Sequence, residues 1–111
     1  MFCKKRCCKN MCYRSFQNGD ITLDELKNKV AQGAILLDVR SNQEYRENHL
    51  QGAINIPDYE LRHRVERELP KKNQLVVIYC QYGGRSRNAY NMMKKMGYTN
   101  IYNLSGGLDM I

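Results

Sequence analysis

Val76-Val77-Ile78-Tyr79-Cys80-Gln81-Tyr82-Gly83-Gly84-Arg85-Ser86 is the stretch on which the fold of this chain turns. Leu75 to Tyr79 is an unbroken apolar run of the kind that forms a parallel strand covered on both faces. Its end delivers Cys80, and ligands of open parallel sheets bind outside the C-terminal ends of the strands. Gly83 and Gly84 permit backbone conformations closed to other residues and can turn N–H groups toward an anion. A helix is expected from about Ser86 to Met96, with Ala89, Met92, Met93 and Met96 on its apolar stripe and Gly97 as its stop. Its positive end points at the same place. These elements favour negative charge on sulfur, so a thiol pKa below the ordinary value of about 8.5 and a nucleophilic thiolate are expected. A lone cysteine ending a core strand is often only a small buried hydrophobe. The Gly-Gly-Arg-Ser sequence and the helix behind it set Cys80 apart from that case.

Outward from this stretch, helical patterns alternate with short apolar runs. Thr22 and Glu25 have capping-box spacing ahead of Leu23, Leu26 and Val30, and Gly33 stops that helix. Ala34 to Leu37 reads as a buried strand. Ser41 and Glu44 repeat the capping-box spacing and open a short helix to about His49, which Gly52 breaks before a strand from Ala53 to Ile56. Asp58 is expected to cap a helix carrying Leu61, Val65 and Leu69 that ends at Pro70, and Ile101 to Leu104 is a last strand. Strands alternating with helices imply an α/β domain with a parallel sheet flanked by helices on both faces.

The sequence resembles the single-domain rhodanese family of thiosulfate sulfurtransferase-like proteins from about Asp20 to Gly107. The family's first signature is matched by Leu36-Leu37-Asp38-Val39-Arg40, Glu44-Tyr45 and His49 to Pro57. Cys80 to Ser86 match its active-site loop, and Gly97-Tyr98 with Leu104-Ser105-Gly106-Gly107 match its last signature. The resemblance implies a rhodanese-like sheet and a sulfurtransferase acting through a Cys80 persulfide. A sulfane-sulfur donor, thiosulfate or a persulfide, loads Cys80, and cyanide, a thiol or a sulfur-accepting protein unloads it. It further implies that the loop residues Gln81, Tyr82, Gly83, Gly84, Arg85 and Ser86 bind the donor and cradle the anionic outer sulfur. Arg85 attracts the donor or stabilises the leaving group, or braces the loop through a salt bridge. The six-residue span from Cys80 to Arg85 is shorter than the loop of the related phosphatases and arsenate reductases, which argues against oxyanion hydrolysis. Tyr82 is expected to flank the pocket mouth and disfavour thiosulfate relative to a persulfide donor. The alternative is a persulfide carrier without turnover, or a redox or metal sensor using Cys80 with the N-terminal cysteines.

Asp38, Arg40 and Glu44 are read as braces of neighbouring loops, His49 as structural and His63, between two arginines, as solvated. The family pattern ordinarily continues past Gly107 with a helix. Here only Leu108 to Ile111 follow, so a truncated C-terminal helix of at most about one turn is expected, with the N-terminal segment through Phe16 covering the face left open.

The 111 residues suffice for one domain, divided here into a basic Cys-rich segment, 1–15, and a rhodanese-like domain, 16–111. Of the net charge of +7, +5 sits in residues 1–14, which hold no acid, so the basicity belongs mostly to the tail. Arg85 and Arg87 are expected to give the body a local positive field suited to a small anionic donor. No nucleic-acid motif accompanies the charge, and nucleic acid is not expected as a partner. Cys3, Cys7, Cys8 and Cys12 lack the separated Cys-x2-4-Cys pairs of common zinc sites, so neither metal nor cofactor is expected. Sulfur relay with Cys80, docking to an acidic partner and lipidation are other readings of the tail, and a segment without a defined role is the plainest. A lone body cysteine suits a reducing compartment, and with no apolar leader or spanning run a cytoplasmic location is expected.

Overall fold

A computed structural model describes residues 16–111. Five parallel strands, β1 (Asp20–Ile21), β2 (Ile35–Asp38), β3 (Ile54–Asn55), β4 (Val76–Tyr79) and β5 (Ile101–Leu104), form one sheet in the order β1-β5-β4-β2-β3. The helices are α1 (Leu23–Ala31), α2 (Asn42–Glu47), α3 (Leu61–Glu68) and α4 (Gly84–Lys95).

Alternation along each strand sorts side chains between two cores. Val76, Ile78 and Cys80 join Leu37, Val39 and Ile56 against Leu61 and Val65 of α3 and Ala89 and Met93 of α4. Val77 and Tyr79 join Leu36 and Leu104 on the opposite face, against Leu26 of α1 and Tyr45 of α2. Every residue of β4 is fully buried, which explains the continuous apolar run that a one-sided sheet would not need. Each such side chain contributes about 1.5–3 kcal/mol by leaving water.

The register aligns Asp38 of β2 with Tyr79 of β4 and with Asn55 of β3, so residues just beyond these, Arg40 and Cys80 among them, crowd one sheet edge. Both expected capping boxes form, Thr22 with Glu25 and Ser41 with Glu44.

Several expectations need correction. The helix after Cys80 begins at Gly84, two residues before Ser86, because Gly83 takes the left-handed conformation (φ 109°) that lets the chain turn straight into it. Helix α2 ends at Glu47 rather than His49. Asp58 caps nothing through its side chain: Pro57 leads into a 3-10 turn over Asp58–Glu60 that runs on into α3. Strand β1 is an addition to the expected elements, since two residues carry no periodicity. A single 3-10 turn, Gly107–Met110, follows β5, and its Leu108 packs against the core beside α1 and α2. Phe16, the last residue of the segment expected to cover the open face, is 56% exposed, and the rest of that segment, residues 1–15, lies outside the described residues. Among the described residues no helix is long and apolar enough to cross a membrane.

Candidate active site

Cys80 follows β4 directly, is 1% exposed and has its sulfur surrounded by the loop it opens. The Gly83 N–H donates to Sγ at 3.0 Å and the Ser86 N–H at 3.4 Å. The thiol donates to the fully buried Ser86 Oγ at 3.4 Å, and that hydroxyl donates onward to the Gly83 carbonyl at 3.2 Å. Two backbone donors and the N-terminus of a 12-residue helix thus converge on one sulfur.

The loop is held from behind by the final turn. The Leu108 N–H donates to the Cys80 carbonyl at 3.0 Å and the Asp109 N–H to the Gln81 carbonyl at 2.9 Å. Gly107 makes that approach possible: a Cβ there would collide with the Cys80 carbonyl oxygen, and its φ of +64° disfavours any side chain. Nothing local in the sequence signals this backing beyond Gly106-Gly107, which marks a tight backbone passage.

From the side, Arg40 anchors the loop. Its side chain is almost wholly buried and meets Asp38 through Nε at 3.1 Å and Nη2 at 2.7 Å. Nη2 also donates to the Asn48 carbonyl at 2.6 Å, and Nη1 to Gln81 Oε1 at 3.3 Å. Asn55 Nδ2 donates to the carbonyls of both Asp38 and Arg40. Asp38 and Arg40 therefore brace, as their positions suggest. Burial pushes the Tyr79 hydroxyl pKa well up, and this hydroxyl accepts from the Leu50 N–H at 3.1 Å.

Arg85 forms a bidentate pair with Glu44, Nη1 to Oε1 at 2.8 Å and Nη2 to Oε2 at 3.1 Å. The Arg85 bond, with help from the Ser41 N–H and hydroxyl, holds the Glu44 carboxyl down at about 2. Arg87 pairs with Asp20 and donates to the Asn18 carbonyl at 2.9 Å. The expected positive field is thereby corrected, because both arginines are already engaged by carboxylates. The bracing reading of Arg85 describes its geometry in this structure.

His49 stacks on Tyr45 with centroids 3.8 Å apart and lies 2.7 Å through Nδ1 from the Tyr45 carbonyl, a structural placement. His63 is exposed on α3. Tyr82 is 62% exposed on the loop, and Gly84 is the exposed first residue of α4. Among the described residues no cluster of three or more His, Cys, Asp or Glu is placed to hold a metal.

Residues 22–111 match the Rhodanese-like domain. The chain belongs to the rhodanese family. It is 40% identical over 74 residues to the thiosulfate sulfurtransferase PspE of Escherichia coli K12, covering 67% of this chain and 71% of that protein. Over 98 residues it is 34% identical to the probable molybdopterin-synthase adenylyltransferase of Porphyra purpurea; there it covers 86% of this chain but spans only 25% of the relative's length. Among solved structures, the human single-domain sulfurtransferase TSTD1 matches with a TM-score of 0.75 at 30% identity, covering 85% of this chain and 95% of that one. The fold is thus the rhodanese α/β fold, and relatives named as thiosulfate sulfurtransferases place this rhodanese among sulfur-transfer proteins in general.

Proposed function

We propose that this rhodanese transfers sulfane sulfur through a persulfide on Cys80. The observation that carries the reading is the convergence of the Gly83 and Ser86 N–H groups on Sγ. The thiolate attacks the outer sulfur of the donor, the donor's S–S bond breaks, and sulfite or a thiolate leaves with the electron pair. The Cys80 persulfide then carries its negative charge on the outer sulfur, within reach of loop N–H groups from Gln81 to Ser86. An acceptor thiolate or cyanide attacks that sulfur and Cys80 leaves as thiolate, so no outside oxidant or reductant is needed.

The pairing of Arg85 with Glu44 bears on the donor. With its guanidinium engaged, the loop offers backbone dipoles in place of a free cation, which favours a persulfide of low charge over dianionic thiosulfate. Tyr82 at the mouth works in the same direction.

Intact-mass spectrometry tests the proposal. Wild type incubated with thiosulfate or glutathione persulfide should gain the mass of one sulfur, and Cys80→Ser should not; sulfur loading that survives the substitution refutes it. Thiocyanate production from thiosulfate and cyanide separates turnover from carriage. A stable sulfur adduct on Cys80 with no turnover would assign the carrier role.

A further inference from the structure

Cys80 is 1% exposed beneath its loop, so whatever unloads it must be slender and must be held in place. A pocket of about 340 Å³ adjoins the loop on the β5 side of the strand, across β4 from Arg40, with Asp20, Gly83, Gly84, Arg87, Asn103 and Ser105 in its walls. The Gly83 N–H is the one that donates to Sγ at 3.0 Å, so a single residue borders both the pocket and the sulfur. The two glycines present no side chain between them.

Charge in the pocket is already balanced. The Asp20 side chain is 6% exposed and surrounded by donors: Arg87 and Asn103 Nδ2 on Oδ1, and the Gln17 N–H on Oδ2 at 2.8 Å. Arg87 in turn donates to the Asn18 carbonyl at 2.9 Å. Asn103 is 3% exposed, and the Asp20 carboxylate fixes which way its amide points, with Nδ2 donating at 2.9 Å. Its Oδ1 is buried and has no hydrogen-bond partner among the described residues. Buried polar atoms are nearly always paired, so an acceptor left open in the wall of a pocket calls for a donor from a ligand.

The sheet sets how far that acceptor stands from the sulfur. Ile101, two residues before Asn103, packs in the same core as Cys80, so Asn103 and Cys80 point to the same face, toward α4. Asn103 is level with Ile78 in the register, which puts Cys80 two residues further along and one strand across, roughly 8 Å away between Cα atoms. With a hydrogen bond of about 3 Å at one end, nitrogen and sulfur in the ligand stand a few ångströms apart. That is the spacing of a thiol with an N–H two carbons from its sulfur, the arrangement in cysteine and cysteamine.

We propose that this pocket seats the sulfur acceptor, a small two-carbon aminothiol whose N–H donates to Asn103 Oδ1. This rests on the Cys80 persulfide of the preceding section. The acceptor thiol loses its proton to solvent, and its thiolate passes over Gly83 and Gly84 to attack the outer sulfur. The S–S bond on Cys80 breaks, Cys80 leaves as thiolate with the electron pair, and the aminothiol departs as a persulfide. One sulfane sulfur moves between two thiols with no net oxidation. Asn103 is thereby a positioning residue that selects the acceptor by hydrogen bonding.

The test uses the full chain with one sulfur loaded on Cys80, freed of donor and mixed with cysteamine or with its N-trimethyl analogue. The analogue keeps the positive charge and the two-carbon span but has no N–H. Intact-mass spectrometry follows the loss of sulfur. Cysteamine should unload Cys80 roughly tenfold faster or more, because a site built to hydrogen-bond an N–H rejects the analogue that lacks it. In Asn103→Leu that preference should fall below about twofold. Since Asn103→Leu also removes a bond to Asp20, a second measurement uses unloaded wild type: titration with S-methylcysteamine, which cannot react, should shift the NMR resonances of the Asn103 side-chain amide and of the Gly83 and Gly84 N–H groups. Equal unloading rates for the two thiols in wild type, or no shift at millimolar S-methylcysteamine, overturn the acceptor site and leave the Cys80 persulfide standing. A preference that survives Asn103→Leu overturns the role of Asn103. A Cys80 that never gains sulfur overturns both readings.

Discussion

Replacing Asp38 with asparagine strips the buried counter-charge from Arg40 while keeping the side chain's shape. The side chains of Arg40 and Asp38 are 2% and 0% exposed, and Asp38 receives the Arg40 backbone N–H, Nε and Nη2. In Asp38→Asn the guanidinium stays charged and has no route to water. Removing one partner of a buried pair costs about 3–5 kcal/mol, because the desolvated charge left behind is uncompensated. A domain of this size has a total stability on the order of 5–15 kcal/mol. At about 4–8 °C per kcal/mol the melting temperature should fall by at least 12 °C or so. Adding Arg40→Met removes the second charge, while the introduced asparagine can still accept the backbone N–H two residues on. Circular dichroism on thermal and urea unfolding should therefore find Asp38→Asn/Arg40→Met more stable than Asp38→Asn alone. A single variant within about 1 kcal/mol of wild type, or a double variant less stable than the single, would refute the reasoning.

The Glu44–Arg85 pair sets a pH window: with Glu44 titrating near 2 in the fold and near 4.5 ordinarily, its stabilisation is complete above about pH 4.5 and drains as pH falls toward 2. Acid titration of Glu44→Gln should lack that slope, and freeing Arg85 should raise kcat/KM for thiosulfate about fivefold, the ~1 kcal/mol that a unit charge pair at 4 Å is worth in water. Gly107→Ala forces a Cβ against the Cys80 carbonyl, so sulfur loading should drop at least tenfold and the melting temperature should fall; wild-type loading would show that the final turn does not shape the loop. Ser86→Ala removes the hydroxyl between Sγ and the Gly83 carbonyl, and loading measured by rapid quench should slow roughly tenfold, as for loss of a hydrogen bond worth about 1.4 kcal/mol. Tyr82→Ala should raise activity with thiosulfate relative to glutathione persulfide, and unchanged selectivity would remove Tyr82 from donor choice.

Local patterns wrote much of this fold into the sequence. The apolar run of β4 needs cover on both faces, and the capping boxes at Thr22 and Ser41 depend on residues three apart, so both are legible within a short window. Cys80, Gly83 and Ser86 fall in one such window and their meeting could be anticipated. Pairings across the chain could not. Glu44 and Arg85 stand 41 residues apart, and only the parallel register of β2 and β4 brings their loops to one edge. The same holds for Arg87 with Asp20, which is why the sequence suggests free arginines where paired ones are found. Strand β1 escapes such reading because its two residues gain their extended form from β5, not from any preference of their own.

The strand order has a consequence for the timing of folding. Strand β5 lies between β1 and β4, so among the described residues β1 has no sheet neighbour until β5 is inserted. Such pairing between distant segments forms late, after the loop-closure entropy has been met. A chain assembled only as far as β4 would hold Cys80 on its strand. It would have neither Asn103 to fix Asp20 nor Leu108 and Asp109 to back the loop carbonyls. The thiol would be present before its cradle. The closed loop around Cys80 is thereby reserved for the finished molecule, with β5 as the piece that joins the thiol and its neighbours into one edge.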